Sequence, residues 1–163
     1  MPGIRRIATV LVLACVLASG MPAAAQQFAL AADPRTGDPA MDARLADIDR
    51  YGTRYREAFV DELVRYRAAP RTLVAALLAD EHWAPGDVYY ACALAQVAGR
   101  PCSHVLERWR EGHATGWEPI AGSLGVTAGS GEAARMAEGM TASYRRWGRP
   151  LPAAAAPAPP TDD

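Results

Sequence analysis

The sequence predicts an all-α protein, a compact bundle of five or six short helices with a longer first helix. Three observations carry this. Apolar residues recur at steps of three and four through the middle of the chain. No run of four or more residues alternates apolar with polar in the manner of a half-buried strand. Proline, glycine and short polar residues punctuate the periodic stretches at positions suited to helix starts and stops. A length of 163 residues suits one domain, and a 50% hydrophobic composition is enough to build its core.

Residues 1–25 read as a secretory signal peptide. Arg5 and Arg6 form a charged start, the 12 residues from Ile7 to Ala18 are apolar, and Ala23-Ala24-Ala25 supplies small residues for cleavage before Gln26. A membrane span needs ~20 apolar residues, more than this run provides. Cys15 offers a second way to process the segment, as the acylated cysteine of a lipoprotein, but Leu13 is bulky for that signal and the apolar run continues past the cysteine. Cleavage leaves 15 arginines, with no lysine, against 18 acidic residues. The expected compartment is the periplasm or the exterior of a bacterium, and no stable membrane span is expected after cleavage.

Residues 26–37 show no sustained period and contain Pro34 and Gly37, so they are expected to form a flexible arm. The helical domain is expected over 38–149. Asp38-Pro39 is a cap followed by a first-turn proline. Met41, Leu45, Ile48, Gly52, Tyr55, Phe59, Leu63 and Tyr66 then form one helical stripe, with Gly52 a point where the helix can kink or split. Asp47, Arg50, Arg54, Glu57, Asp61 and Arg65 lie opposite, as a solvated charged face on which Asp61 and Arg65 are spaced to pair. Pro70 opens the next helix, which buries Leu73, Val74, Leu77 and Leu78. Asp87 is placed to cap a helix over 88–98, Gly99 to end it, and Pro101 to restart the chain. Further helices are expected over 102–111, carrying Val105, Leu106 and Trp109, then over 117–124, and finally after Ser130, with Met136, Met140, Tyr144 and Trp147 facing inward. Residues 150–163 hold five prolines and are expected to be a disordered tail rich in proline and alanine.

Part of the second half resembles a known pattern. Asp87-Val88-Tyr89, Ala93-Leu94-Ala95, Gly99-Arg100-Pro101, Val105-Leu106 and Gly116-Trp117-x-x-Ile120-Ala121-x-x-Leu124-Gly125-Val126 resemble a segment of small exported, all-helical bacterial proteins of unknown function. The resemblance covers about 83–129 and implies export and a helical fold, with no activity attached. His113-Ala114-Thr115 is inserted before Gly116 relative to that pattern. Physically, Trp117, Ile120, Ala121 and Leu124 give two helical turns one apolar face that must pack on Val105, Leu106 and Trp109. Pro119 falls in the first turn, where amides lack intrahelical partners.

The same residues look like the lead-in to a helix-turn-helix. Its recognition helix would be 128–135, which has two glycines and a single arginine, and 83–149 has seven arginines against six acids. That leaves little charge to neutralise phosphates, so no nucleic-acid partner is expected.

No residue set is assigned to catalysis, a cofactor or a metal. His82, His104 and His113 with Cys92 and Cys102 match none of the compact spacings zinc uses. Asp80, Glu81 and His82 are adjacent and diverge on a helix, as do Ser103 and His104. Asp80, Glu107 and Glu111 can meet histidines only through folding. In an oxidising compartment Cys92 and Cys102 are candidates to pair. A simple antiparallel hairpin turning at 99–101 puts Cys92 about 9 Å down its helix, opposite Glu107, which favours two separate thiols; strongly crossed helices would allow a bond. The tryptophans and Tyr89-Tyr90 read first as core, and alternatively as a groove for an apolar helix or lipid-like chain with the tyrosines at its rim. The function expected is non-catalytic binding in the bacterial cell envelope, to an unidentified envelope protein or peptidoglycan-associated partner. A small envelope hydrolase whose site assembles only on folding is the alternative.

Overall fold

The computed structural model describes residues 34–152, and over them the chain is all-helical. The expected signal peptide, most of the arm and most of the tail lie outside the described residues. Seven α-helices follow in order: α1 (Pro39–Arg54), α2 (Arg56–Tyr66), α3 (Arg71–Ala79), α4 (Pro85–Val97), α5 (Cys102–Gly112), α6 (Trp117–Ser123) and α7 (Gly131–Arg146), with one 3₁₀ turn at His113–Thr115. Among the described residues no helix is long and apolar enough to cross a membrane.

Helix α4 is the axis of the bundle. Val88 through Ala95 are all buried, so this helix has no solvated face for two turns, and α1, α5 and α7 pack around it. The other helices are amphipathic and contribute one stripe each, such as Leu45 and Ile48 of α1, Val105 and Leu106 of α5, and Met136 and Met140 of α7. Two of the three predicted side-chain caps form: Asp38 Oδ1 accepts from the Ala40 amide at 2.8 Å, and Ser130 Oγ from the Ala133 amide at 3.1 Å, whereas Asp87 does not cap its helix.

The longer first helix is corrected. The chain breaks at Tyr55 (φ −123°, ψ 53°), giving α1 and α2, and Gly52 is not the breaking residue. Gly52 is there for proximity: a methyl on it would lie 2.9 Å from Pro85 Cγ and 3.2 Å from Phe59 Cγ. The break reorients α2 so that Phe59, Val60 and Leu63 are buried, while Tyr55 and Tyr66, expected on the buried stripe, are 46% and 45% exposed. Asp47 departs from the expected charged face in the opposite sense. It is buried, accepting from Tyr144 Oη at 3.0 Å and from Arg149 at 2.8 and 2.9 Å. Burial raises its carboxyl pKa, but the bonds from Arg149, Tyr144 and Arg50 outweigh burial and hold it below the ordinary value. Asp61 and Arg65 do pair, at 3.6 Å.

The expectation of separate thiols is also corrected. Cys92 and Cys102 form a disulfide with their Cα atoms 4.5 Å apart. The level argument fails at the corner. Gly99 takes φ +65°, and the Arg100 amide returns to the Ala95 carbonyl at 2.8 Å, so the chain has already descended a turn beside α4 before α5 begins. Cys102 therefore starts α5 beside Cys92 rather than above it.

The described residues at both ends of the domain are held against it. The Pro34 and Arg35 carbonyls accept from the first two amides of α6, those of Trp117 and Glu118, each at 3.0 Å. Thr36 bonds Asp42 through both its amide and its hydroxyl. Gly116, with φ +84°, has no room for a methyl, which would meet Arg35 Cβ at 2.7 Å. At the other end Leu151 packs against the core.

Candidate functional site

The site is built where α3, α4 and α5 meet. The sequence reading made Asp87 the cap of α4, but Pro85 is the first residue of that helix and Ala84 its cap, which moves Asp87 to the third position, turned inward. The amide of Gly86 is satisfied from another helix, by Asp49 Oδ1 of α1 at 2.6 Å. Gly86 permits that approach, since a methyl there would sit 2.8 Å from the Leu45 carbonyl oxygen.

Asp87 is 4% exposed and accepts from the indole Nε1–H of Trp117 at 2.8 Å. Trp117 in turn lies flat on Trp109, with ring centres 4.0 Å apart and planes 5° from parallel, and its ring meets Tyr90 edge-on. Burial in this apolar setting pushes the Asp87 carboxyl up to about 7; indole bonds from Trp117 and Trp109 oppose the rise and the charge of Asp49 adds to it. Asp49 is itself raised by burial, against the Gly86 amide and Arg50, which lower it.

Asp87 opens onto a cavity of about 210 Å³ walled by Trp83, Ala84 and Trp109, with Glu81, Arg110 and His113 at its polar edge. Arg110 spans that edge. It grips both oxygens of Glu81 (3.0 and 2.8 Å) and one of Glu107 (2.8 Å), and its guanidinium stands 5.5 Å from the centre of the Trp83 ring. His113 meets Trp109 edge-on at 6.2 Å. The Trp83 indole N–H is buried and has no hydrogen-bond partner among the described residues. A cavity this size takes one ring-sized group between aromatic walls and offers it a carboxyl that is protonated in mildly acidic solution and charged above neutrality.

The other residues weighed from the sequence disperse. Asp80 ends α3, Glu81 lines this cavity, and His82 (φ +55°) lines a separate cleft with Asp49, Thr53 and Arg56. Ser103 and His104 are exposed, and Glu111 borders a groove with Arg108 and Pro119. Among the described residues no carboxylate bonds a histidine, and no three His, Cys, Asp or Glu side chains cluster to hold a metal ion. The tryptophans Trp83, Trp109 and Trp117 are core, as the first reading had them, and Tyr89 and Tyr90 are buried rather than at a groove's rim. Sequence reasoning missed Asp87 itself; the signal available was Pro85, whose first-turn preference puts the helix start two residues before Asp87.

No protein-family model, curated protein or solved structure matches this chain.

Proposed function

We propose that this is an exported, non-catalytic binding protein of the bacterial cell envelope, and that the Trp83–Asp87–Trp109 cavity receives a ring-sized group of an envelope protein or peptidoglycan-associated partner. The observation that carries this reading is the cavity: two aromatic walls and a buried carboxyl are groups that recognise a ligand. The Cys92–Cys102 bond supports export, because disulfides persist in oxidising compartments. The signal-like segment 1–25 and the resemblance to small exported proteins belong to the same reading.

The test is titration of the mature protein (26–163) with soluble muropeptides, followed by tryptophan fluorescence and calorimetry, beside crosslinking in envelope extracts. Saturable binding is expected, lost in Ala84→Phe, which fills the cavity from its margin. No binding of muropeptides together with no specific crosslinked partner would overturn the proposal. One observation favours a hydrolase as second reading: a carboxyl that titrates near 7 shares its cavity with Glu81, a pairing suited to acid–base work. Cleavage of muropeptides by the parent protein, with Asp87→Asn binding but not cleaving, would put the hydrolase in place of the binder.

A further inference from the structure

At the opposite end of α4 the chemistry is cationic. Arg67, which ends α2, is 6% exposed, and its guanidinium bonds neutral oxygens: Gln96 Oε1 at 2.5 Å, Tyr89 Oη at 2.6 Å and Ser143 Oγ at 3.4 Å. Among the described residues no carboxylate lies within ion-pair distance of it, and its Nε–H is buried without a partner there. A guanidinium taken out of water this far is costly unless a counter-charge stands close. Arg67 reaches the carboxylate of Glu62 through Ser143, whose hydroxyl donates to Glu62 Oε1 at 2.7 Å; but Glu62 is already clamped by Arg146 through Nε and Nη2. One buried carboxylate thus serves two guanidinium groups.

The surplus faces a groove. Arg67, Arg135, Arg145 and Arg146 line a cleft of about 590 Å³ between the ends of α2 and α4 and the flank of α7, with Tyr66, Gln96 and the single acid Glu138. Glu132 pairs with Arg135 at 2.9 Å, and Arg145 makes no ion pair among the described residues. Counting Glu62, Glu132 and Glu138 against the four arginines leaves one positive charge unbalanced. The backbone is shaped around this cation as well. Gly139 lies in the middle of α7, where glycine costs ~1 kcal/mol, and a methyl on it would come within 2.8 Å of Arg67 Nη1, so the guanidinium head would have to shift to admit it.

We propose that this groove binds a singly charged oxyanion, a phosphodiester or a carboxylate, with Arg67 at its base and Arg145 at its lip. Guanidinium forks match both groups in geometry, and one negative charge would balance the cluster. This site is separate from the Asp87 cavity and does not depend on the function proposed for it.

The test is a ¹⁵N NMR titration of the mature protein with glycerophosphoglycerol, acetate, and vesicles of phosphatidylglycerol against phosphatidylcholine. The Arg67 Nε–H resonance is expected to shift saturably. Arg145→Gln, at an exposed position, is expected to weaken binding by about tenfold with little change in Tm, and Gly139→Ala to weaken it by displacing the Arg67 head. Binding of the free compounds identifies a soluble ligand; binding of phosphatidylglycerol vesicles alone identifies a lipid headgroup; both uphold the site. Absence of binding in every arm, or binding unchanged in both variants, overturns it.

Discussion

Asp87 makes a sharp prediction at the scale of one residue. Its folded pKa of about 7 lies above the unfolded value near 3.8, so the folded state holds a proton that the unfolded chain releases between those limits. The associated stability is fully present below about pH 4 and is lost as pH rises through 7, a difference on the order of 4 kcal/mol by linkage. Asp47, with a lowered pKa, works in the opposite direction, gaining stability as pH rises past the acid range. Urea unfolding of the parent and of Asp87→Asn across pH 4–8 separates the two. The parent is expected to lose stability relative to the variant as pH rises, and parallel curves would show that Asp87 is charged throughout. Ligand affinity should follow the same proton if the carboxyl donates to the ligand.

Gly52 and the Cys92–Cys102 corner decide how the helices meet. Gly52→Ala gains about 1 kcal/mol of helix propensity but drives a methyl into Pro85, an overpacking that costs about 1–3 kcal/mol. A lower Tm is expected, whereas Gly122→Ala, with nothing near its added methyl, should leave Tm unchanged or raise it. Replacing both cysteines by serine opens a short loop and should cost about 3 kcal/mol, read by chemical unfolding. Helix identity and caps could be read from the chain because they depend on neighbours within a few residues, as Asp38, Ser130 and Gly99 illustrate. The split at Tyr55 and the disulfide could not. Both depend on contacts beyond the local sequence: on how Phe59, Val60 and Leu63 of α2 reach the core, and on how far the chain descends after Ala95.

For the molecule as a whole, the all-α architecture follows from apolar periodicity, and the core tryptophans were identifiable from it. The candidate site was only half legible. Trp83 and Trp109 could be placed as core, but that they leave a cavity between them, and that Asp87 sits at its base, emerges only when three helices converge. Likewise Glu62, Arg67 and Asp47 look like ordinary charges in the sequence, and only their partners on α4, on α7 and beyond it, 22 to 102 positions away, make them interior groups. The expected cleavage after Ala25 is tested by intact mass of the protein recovered from bacterial periplasm: a chain starting at Gln26 is expected, and an intact leader or a lipid-modified Cys15 would refute it.

The sulfur bridge at the α4–α5 corner makes the fold sensitive to its redox surroundings. A copy held back among cytosolic reductants would keep two thiols there and lose a clasp seven residues from Trp109 and five from Asp87. The two jaws of the cavity would then be hinged more loosely, so the shape of the cavity depends on the redox state of this corner.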